Sequence, residues 1–135
     1  MKVDDKTLQA LAMAVKFREM RQGVITSNIA NSETPGYKSK DLDFEKALAR
    51  ALDVDGQQSL KATNDKHFNV GSGGFENLEP EIFEEATGVV SDDGNTVDPE
   101  KEQLKMAENK LLYDAAVQLL NKKLAMKRYA IESEK

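Results

Sequence analysis

The sequence contains no cysteine and no tryptophan, and it has a single histidine, His67. Without cysteine, disulfide bonds and thiolate metal ligands are excluded. One histidine cannot form a zinc site alone, and no acidic residues stand at a spacing that would complete one. The sequence therefore predicts no catalytic, cofactor-binding or metal site and no small-molecule substrate. An enzyme that uses His67 with nearby carboxylates remains an alternative.

Long apolar runs are also missing. No stretch approaches the roughly 18 apolar residues of a membrane-spanning helix. Residues 1–16 lack the apolar segment of a cleavable secretory signal, so we expect none. The net charge of −5 lacks the basic excess that is typical of nucleic-acid-binding proteins, so no nucleic-acid partner is expected.

Core-forming side chains are scarce. Apolar residues make up 39% of the 135 residues and aromatic residues 6%, whereas charged residues reach 32%. This composition suits helices that bury narrow apolar stripes, and the length fits one domain over residues 1–135. We therefore predict a mainly α fold. Two long amphipathic, coiled-coil-like terminal helices would be joined by a loop-rich, partly irregular middle segment.

The first long helix is expected over about residues 5–31. Two apolar stripes follow its length, so it should contact more than one neighbour. Arg18 and Gln22 interrupt the first stripe. The first stripe comprises Leu8, Leu11, Val15, Ile25 and Ile29, and the second comprises Ala10, Met13, Phe17, Met20 and Val24.

The middle of the chain carries signals that end and start helices. Thr34-Pro35-Gly36 should stop the first helix, because proline cannot continue it and Pro-Gly fits the centre of a type II turn. A short helix is expected from Asp43 to about Leu52. Residues 53–96 are punctuated by glycine and lack periodicity, which predicts a long irregular connection.

The last helix is expected over about residues 98–131, and its roughly 32 residues without Gly or Pro, 100–131, would be about 48 Å long. Asp98 is a candidate N-cap, Pro99 fits the first helical position, and Glu100 and Glu102 place negative charge in the first turn. Its apolar positions are separated by 7, 4, 4 and 7 residues. With Glu108 and Lys122 counted as the missing members, the repeat is about 3.67 residues per turn, close to an eleven-residue repeat. These apolar positions are Leu104, Leu111, Ala115, Leu119 and Met126.

The end of the first helix resembles the N-terminal signature of flagellar rod and hook proteins. The matching residues are Asn28, Ile29, Ala30, Asn31, Thr34, Pro35, Gly36 and Tyr37. They stand in the family's order near residue 30, where the family carries them. Weaker similarity to the family's short proximal rod subunit covers the middle and C-terminal segments. A FlgC-like rod subunit and a non-flagellar coiled-coil adaptor or chaperone are the alternatives.

The resemblance implies a structural protein of the bacterial flagellum. Such a subunit would assemble through its terminal helices into the periplasmic rod of the basal body, which transmits torque and encloses the export channel for motility. The implied partners are other copies of the chain, other rod subunits, the adapter FliE and the flagellar type III export gate. Export would need no cleavable signal peptide. The eight signature residues would be structural, and the apolar stripes would be assembly faces because a monomer this poor in core residues cannot bury them.

Overall fold

The computed structural model describes residues 2–45, 48 and 80–133. Within them lie two long helices, α1 (Lys2–Ala30) and α2 (Pro99–Ser133), and two short strands, β1 (Lys40–Asp43) and β2 (Glu81–Glu84). The strands pair antiparallel, with the middle residues of β1 opposite those of β2. The predicted mainly α fold with long helices at both ends is confirmed. None of the described helices is long and apolar enough to cross a membrane.

The two helices pack side by side and run antiparallel. Near the end of α1, Asn28 contacts Glu102 in the first turn of α2. Farther back along α1, Gln22 contacts Asn109. The contacts therefore move toward the start of α1 as they advance along α2. This arrangement places the C-terminal end of α1, the strands and the start of α2 together at one end of the helix pair.

A small apolar core lies on the side of α1 that carries its second stripe. Phe17 is fully buried, and its ring centroid lies 5.4 Å from that of Phe44. The opposite side of α1 faces α2, so this helix has the two neighbours that its two stripes predict. The rest of the core comprises Ala10 and Leu42, with Met13 and Leu48 packed against it.

The start of α2 follows the predicted capping chemistry. The Asp98 carboxylate accepts a hydrogen bond from the Lys101 N–H at 3.3 Å. The Asp98 carbonyl accepts another from the Glu102 N–H at 3.0 Å. Pro99 is the first helical residue, where its missing N–H leaves no bond unmade.

Two expectations for the middle segment need correction. The expected short helix is present at its described positions Glu45 and Leu48, and the Leu48 N–H bonds to the Phe44 carbonyl at 2.8 Å, but Asp43 lies in β1 and is not the cap of this helix. Positions 46, 47 and 49–52 of the expected helix lie outside the described residues, as do 53–79. The connection over 53–96 also contains β2, which sequence patterning misses because all four of its residues are exposed. Pairing with β1, not an alternating pattern, accounts for this strand.

Candidate functional site

The signature segment, residues 28–37, forms the end of α1 and the turn that follows it. The Thr34 carbonyl accepts a hydrogen bond from the Tyr37 N–H at 3.2 Å, which closes a four-residue turn. Gly36 occupies the third position with φ of +71°. A type II turn requires this left-handed conformation, which residues with a β-carbon avoid. The predicted turn is present, and it leads the chain from α1 into β1.

Asn28 is fully buried and connects three elements. Its side-chain Nδ2 donates to the Lys40 carbonyl at 2.6 Å and to the Glu102 carboxylate at 3.0 Å. Its Oδ1 accepts from the Lys40 N–H at 3.0 Å and from the Tyr37 hydroxyl at 3.3 Å. The two donors and two acceptor positions of the amide are all used. One side chain thus holds together the end of α1, the start of β1 and the first turn of α2.

Asn95 holds the chain that enters α2 against the signature segment. It is 1% exposed, and its Nδ2 donates to the carbonyls of Asn31 and Thr34, both at 2.8 Å. The Gly36 N–H donates to the Asp93 carbonyl at 2.9 Å, which adds a backbone bond between the same segments. We call the signature segment, residues 93–97 and Glu102 together the joint.

A charged cluster lies next to the joint. Lys105 places its Nζ 3.4 Å from the buried Glu102 carboxylate and 3.5 Å from that of Asp41, and it also contacts Glu85. Arg21 holds Asp41 with two hydrogen bonds of 3.2 and 3.3 Å. Burial alone would lower the pKa of Lys105, but its hydrogen bond to Glu85 and the surrounding carboxylates raise that pKa above its ordinary value. The cluster therefore neutralises buried charge between α1, β1 and α2.

A second polar contact joins the two helices at Asn109, seven residues after Glu102 in α2. Asn109 is 3% exposed, and its Nδ2 donates to the Arg18 carbonyl at 2.8 Å and to the Gln22 Oε1 at 3.2 Å. Its Oδ1 accepts from the Arg18 guanidinium at 3.3 Å. Arg18 and Gln22 interrupt the apolar stripe of α1 because a polar residue faces them. Such a contact inside a helix pair favours one register over its neighbours.

The apolar positions expected to serve assembly lie in different surroundings on the two helices. On α1, Ile25 is buried within the chain, and Leu8, Leu11 and Val15 are half-buried. On α2 all five positions are exposed. They lie roughly 130° around the helix from Glu102 and Asn109, on the side away from α1. We call this face the α2 stripe; it comprises Leu104, Glu108, Leu111, Ala115, Leu119, Lys122 and Met126.

Apart from Asn28, which belongs to the signature, sequence reasoning misses the buried polar residues of the site. It expects Glu102 only as a charge that favours the helix dipole, and it assigns no role to Asn95 or Asn109. The interruption of the α1 stripe was the one signal that could have indicated a polar partner on another helix. His67 lies outside the described residues. Among those described, no group of three or more His, Cys, Asp or Glu side chains is arranged to hold a metal ion.

Comparison with known proteins places this architecture in a family. A family model described as "Flagella basal body rod protein" matches residues 8–38, which span most of α1 and the signature segment. A curated relative from Cereibacter sphaeroides, the flagellar basal body rod protein FlgB, is 39% identical over 123 residues and covers 91% of each chain.

Relatives from other bacteria carry the same name. The FlgB of Aeromonas hydrophila is 33% identical over 132 residues, which cover 96% of each chain. That of Escherichia coli is 32% identical over 124 residues, 87% of this chain and 86% of the relative. These similarities extend far beyond the signature segment and confirm the resemblance to a rod subunit of the FlgB type. The chain belongs to the FlgB family of flagellar basal body rod proteins.

Proposed function

We propose that this structural subunit of the flagellar basal body rod joins its neighbours through the α2 stripe. The exposure of that stripe carries the proposal: Leu104 and Leu111 are 73% and 70% exposed, and Met126 is 56% exposed. Full burial of one such side chain stabilises by roughly 1.5–3 kcal/mol. Packing against neighbouring subunits along about 33 Å of helix would therefore gain several times that amount. Folding of the far part of α2 would be coupled to assembly.

The joint fits a subunit that transmits torque. Asn28, Asn95 and Glu102 connect both helices and β1 through buried hydrogen bonds, so a force on one helix passes to the other through fixed contacts. In this proposal the joint sets the direction of the helices, and the α2 stripe makes the contact between subunits. The eight signature residues act as structural elements of the joint.

The proposed surroundings follow from family membership. The subunit would lie in the periplasmic part of the rod, at its proximal end, around the export channel. Its partners would be other copies of the chain, other rod subunits, the adapter FliE and the flagellar type III export gate. It would reach this position through the type III apparatus without a cleavable signal peptide.

We also propose that the protein has no catalytic activity and needs no cofactor. The family consists of rod proteins, and the polar side chains at the joint are engaged with one another. Asn28 uses all its hydrogen-bonding positions inside the chain, and the Glu102 carboxylate binds Asn28 and Lys105. Such groups fix a structure and are not free to act on a substrate.

A motility assay tests the assembly role. In cells that lack their own copy of the subunit, the Leu111→Asp variant should abolish swimming, because it places a charge in the centre of the stripe. Asn121→Asp makes the same new side chain at an exposed position off the stripe and should preserve swimming. Circular dichroism at concentrations too low for self-association should show equal helix content for both purified variants. Normal swimming of the Leu111→Asp cells would contradict the proposal.

A further inference from the structure

The α2 stripe is symmetric about Ala115. Apolar residues lie four and eleven positions before and after Ala115, and charged residues lie seven positions before and after it. All of these side chains are exposed, and Glu108 lies at the edge of the face, near enough to Arg18 of α1 to act on its charge. The symmetric pairs are Leu111 with Leu119, Glu108 with Lys122, and Leu104 with Met126.

We infer that the free subunit forms a dimer in which this face packs against α2 of a second copy, antiparallel, around a twofold axis at Ala115. Leu111 then packs on the partner subunit's Leu119, and each Glu108 meets a lysine of opposite charge. Every contact occurs twice, as a closed, self-complementary interface requires. The small Ala115 side chain at the axis allows the two helices to approach closely.

Charge selects this orientation over a parallel one. In a parallel pair in register, Glu108 would face its own copy and Lys122 would face its own copy. Like charges across such an interface are unfavourable, whereas the antiparallel arrangement makes two opposite-charge pairs. The apolar positions pair equally well in both orientations, so the placement of these two charges decides between them.

The repeat of the stripe keeps the two helices in contact along its length. Its spacing of about 3.67 residues per turn is close to the 3.6 of a straight helix, so little supercoiling is needed over about 33 Å. The pairing leaves the joint undisturbed, because Glu102 and Asn109 lie on the other side of α2 against α1. The dimer is thus a layer of helices with both copies of α2 at its centre.

The dimer has a consequence for assembly, which rests on the proposed function while the pairing itself does not. A twofold interface uses up the stripe and cannot continue into a filament. A free subunit paired in this way would hide the surface that the rod contact needs. Joining the rod would then require exchange of the partner copy for a rod neighbour.

Sedimentation equilibrium of the purified full chain tests the pairing. The unchanged protein should be a dimer, and both Glu108→Lys and Lys122→Glu should weaken it at least about tenfold, since each turns two attractive pairs into repulsive ones. The double variant E108K/K122E restores opposite charges and should restore the dimer. Lys110→Glu, exposed off the stripe, should leave it unchanged. A monomer at micromolar concentration, or single variants that still dimerise fully, would overturn the inference.

Cysteine pairing determines the orientation, because the chain has no cysteine of its own. Ala115→Cys should oxidise readily to a linked dimer. Leu104→Cys should not link to itself but should link when mixed with Met126→Cys. Self-linkage of Leu104→Cys without linkage in the mixture would show a parallel pair and refute the proposal. These assays use purified protein, so a failed dimer and a failed rod contact in the motility assay are separate outcomes.

Discussion

The first third of α2 and the remainder of the helix differ in how deeply their side chains are buried, although Tyr113 still bonds to Glu19 of α1. Up to Asn109, buried polar side chains bind α1, β1 and the signature segment within the same chain. Beyond Asn109 no residue of the described helix is fully buried, and large apolar side chains such as Leu119 remain exposed. The chain thus fixes the direction of α2 at the joint, and in the proposed assembly other subunits cover the apolar face that stays exposed along the rest of the helix.

The polar character of the joint has a physical use. Buried ion pairs and amides contribute little net stability, but an incorrect register would leave them unpaired at a cost of several kcal/mol. Apolar residues tolerate sliding, so an apolar joint would hold two long helices less exactly in place. Asn28, Asn95 and Asn109 each tie side-chain amides to named backbone carbonyls, and these bonds exist in one register only.

The largest loss of stability is expected from Glu102→Ala, which would remove the buried carboxylate that connects the start of α2 to α1. Removal of the carboxylate leaves a buried Asn28 donor without an acceptor and takes one of three carboxylates from Lys105, so the free energy of unfolding should fall by about 3 kcal/mol. Glu102→Gln keeps an acceptor and should lose less. Urea unfolding measures both. Gln103→Ala, exposed on the same turn, is the control, and an equal loss there would contradict the special role of Glu102.

A smaller loss is expected from Asn95→Asp, which keeps the shape of the side chain. The new carboxylate has no donor for the carbonyls of Asn31 and Thr34, so stability at neutral pH should fall by about 2 kcal/mol. Protonation at acid pH restores one donor, and part of the loss should return. Thermal unfolding over a pH series measures this, with Asn121→Asp on the α2 surface as the control. A loss that does not depend on pH would argue against these two bonds.

Replacing glycine by alanine should change the stability of the protein in opposite directions at two positions. Gly36→Ala should destabilise the protein by about 1 kcal/mol, because the turn holds this residue in the left-handed region. The new β-carbon would meet no atom within 4 Å, so the backbone conformation alone accounts for the loss. Gly23→Ala lies within α1, also without a close atom, and should stabilise by about 0.5–1 kcal/mol. Chemical unfolding of both variants separates backbone strain from packing. Effects of equal sign would refute the strained turn.

The smallest effect concerns pH. The pKa of Lys105 is raised in the folded chain, so its contribution is complete below 10.5 and is lost as pH rises through the higher folded value. Stability should therefore fall at strongly alkaline pH, and less steeply in Lys105→Met. Lys110→Met, exposed and outside the cluster, should follow the unchanged protein. Parallel pH curves for all three proteins would show that the cluster is not coupled to folding.

Local chemistry explains which parts of this structure the sequence predicts. Asp98-Pro99 and Pro35-Gly36 act on their immediate neighbours, so their cap and turn can be recognised from residue type alone. The bonds from Asn28 to Glu102 and from Asn95 to Asn31 span 74 and 64 residues, and spacing gives no indication of them.

The apolar periodicity of the sequence likewise shows which residues form a stripe but not what the stripe contacts. The two stripes of α1 predict two neighbours but do not identify them. The stripe of α2 is visible in the sequence, whereas its isolation from α1 appears only once the helices are packed. β1 and β2 have four residues each, too few for a pattern to distinguish them from a loop.

Amide hydrogen exchange on the free chain tests the contrast between the joint and the far part of α2 most directly. The account predicts that amides of residues 18–37 and 95–109 remain protected at every concentration and in Glu108→Lys. It predicts that protection of residues 110–126 rises with concentration and is lost in that variant. Equal protection along the whole of α2 at high dilution would contradict the account, because α2 would then be stabilised within a single chain.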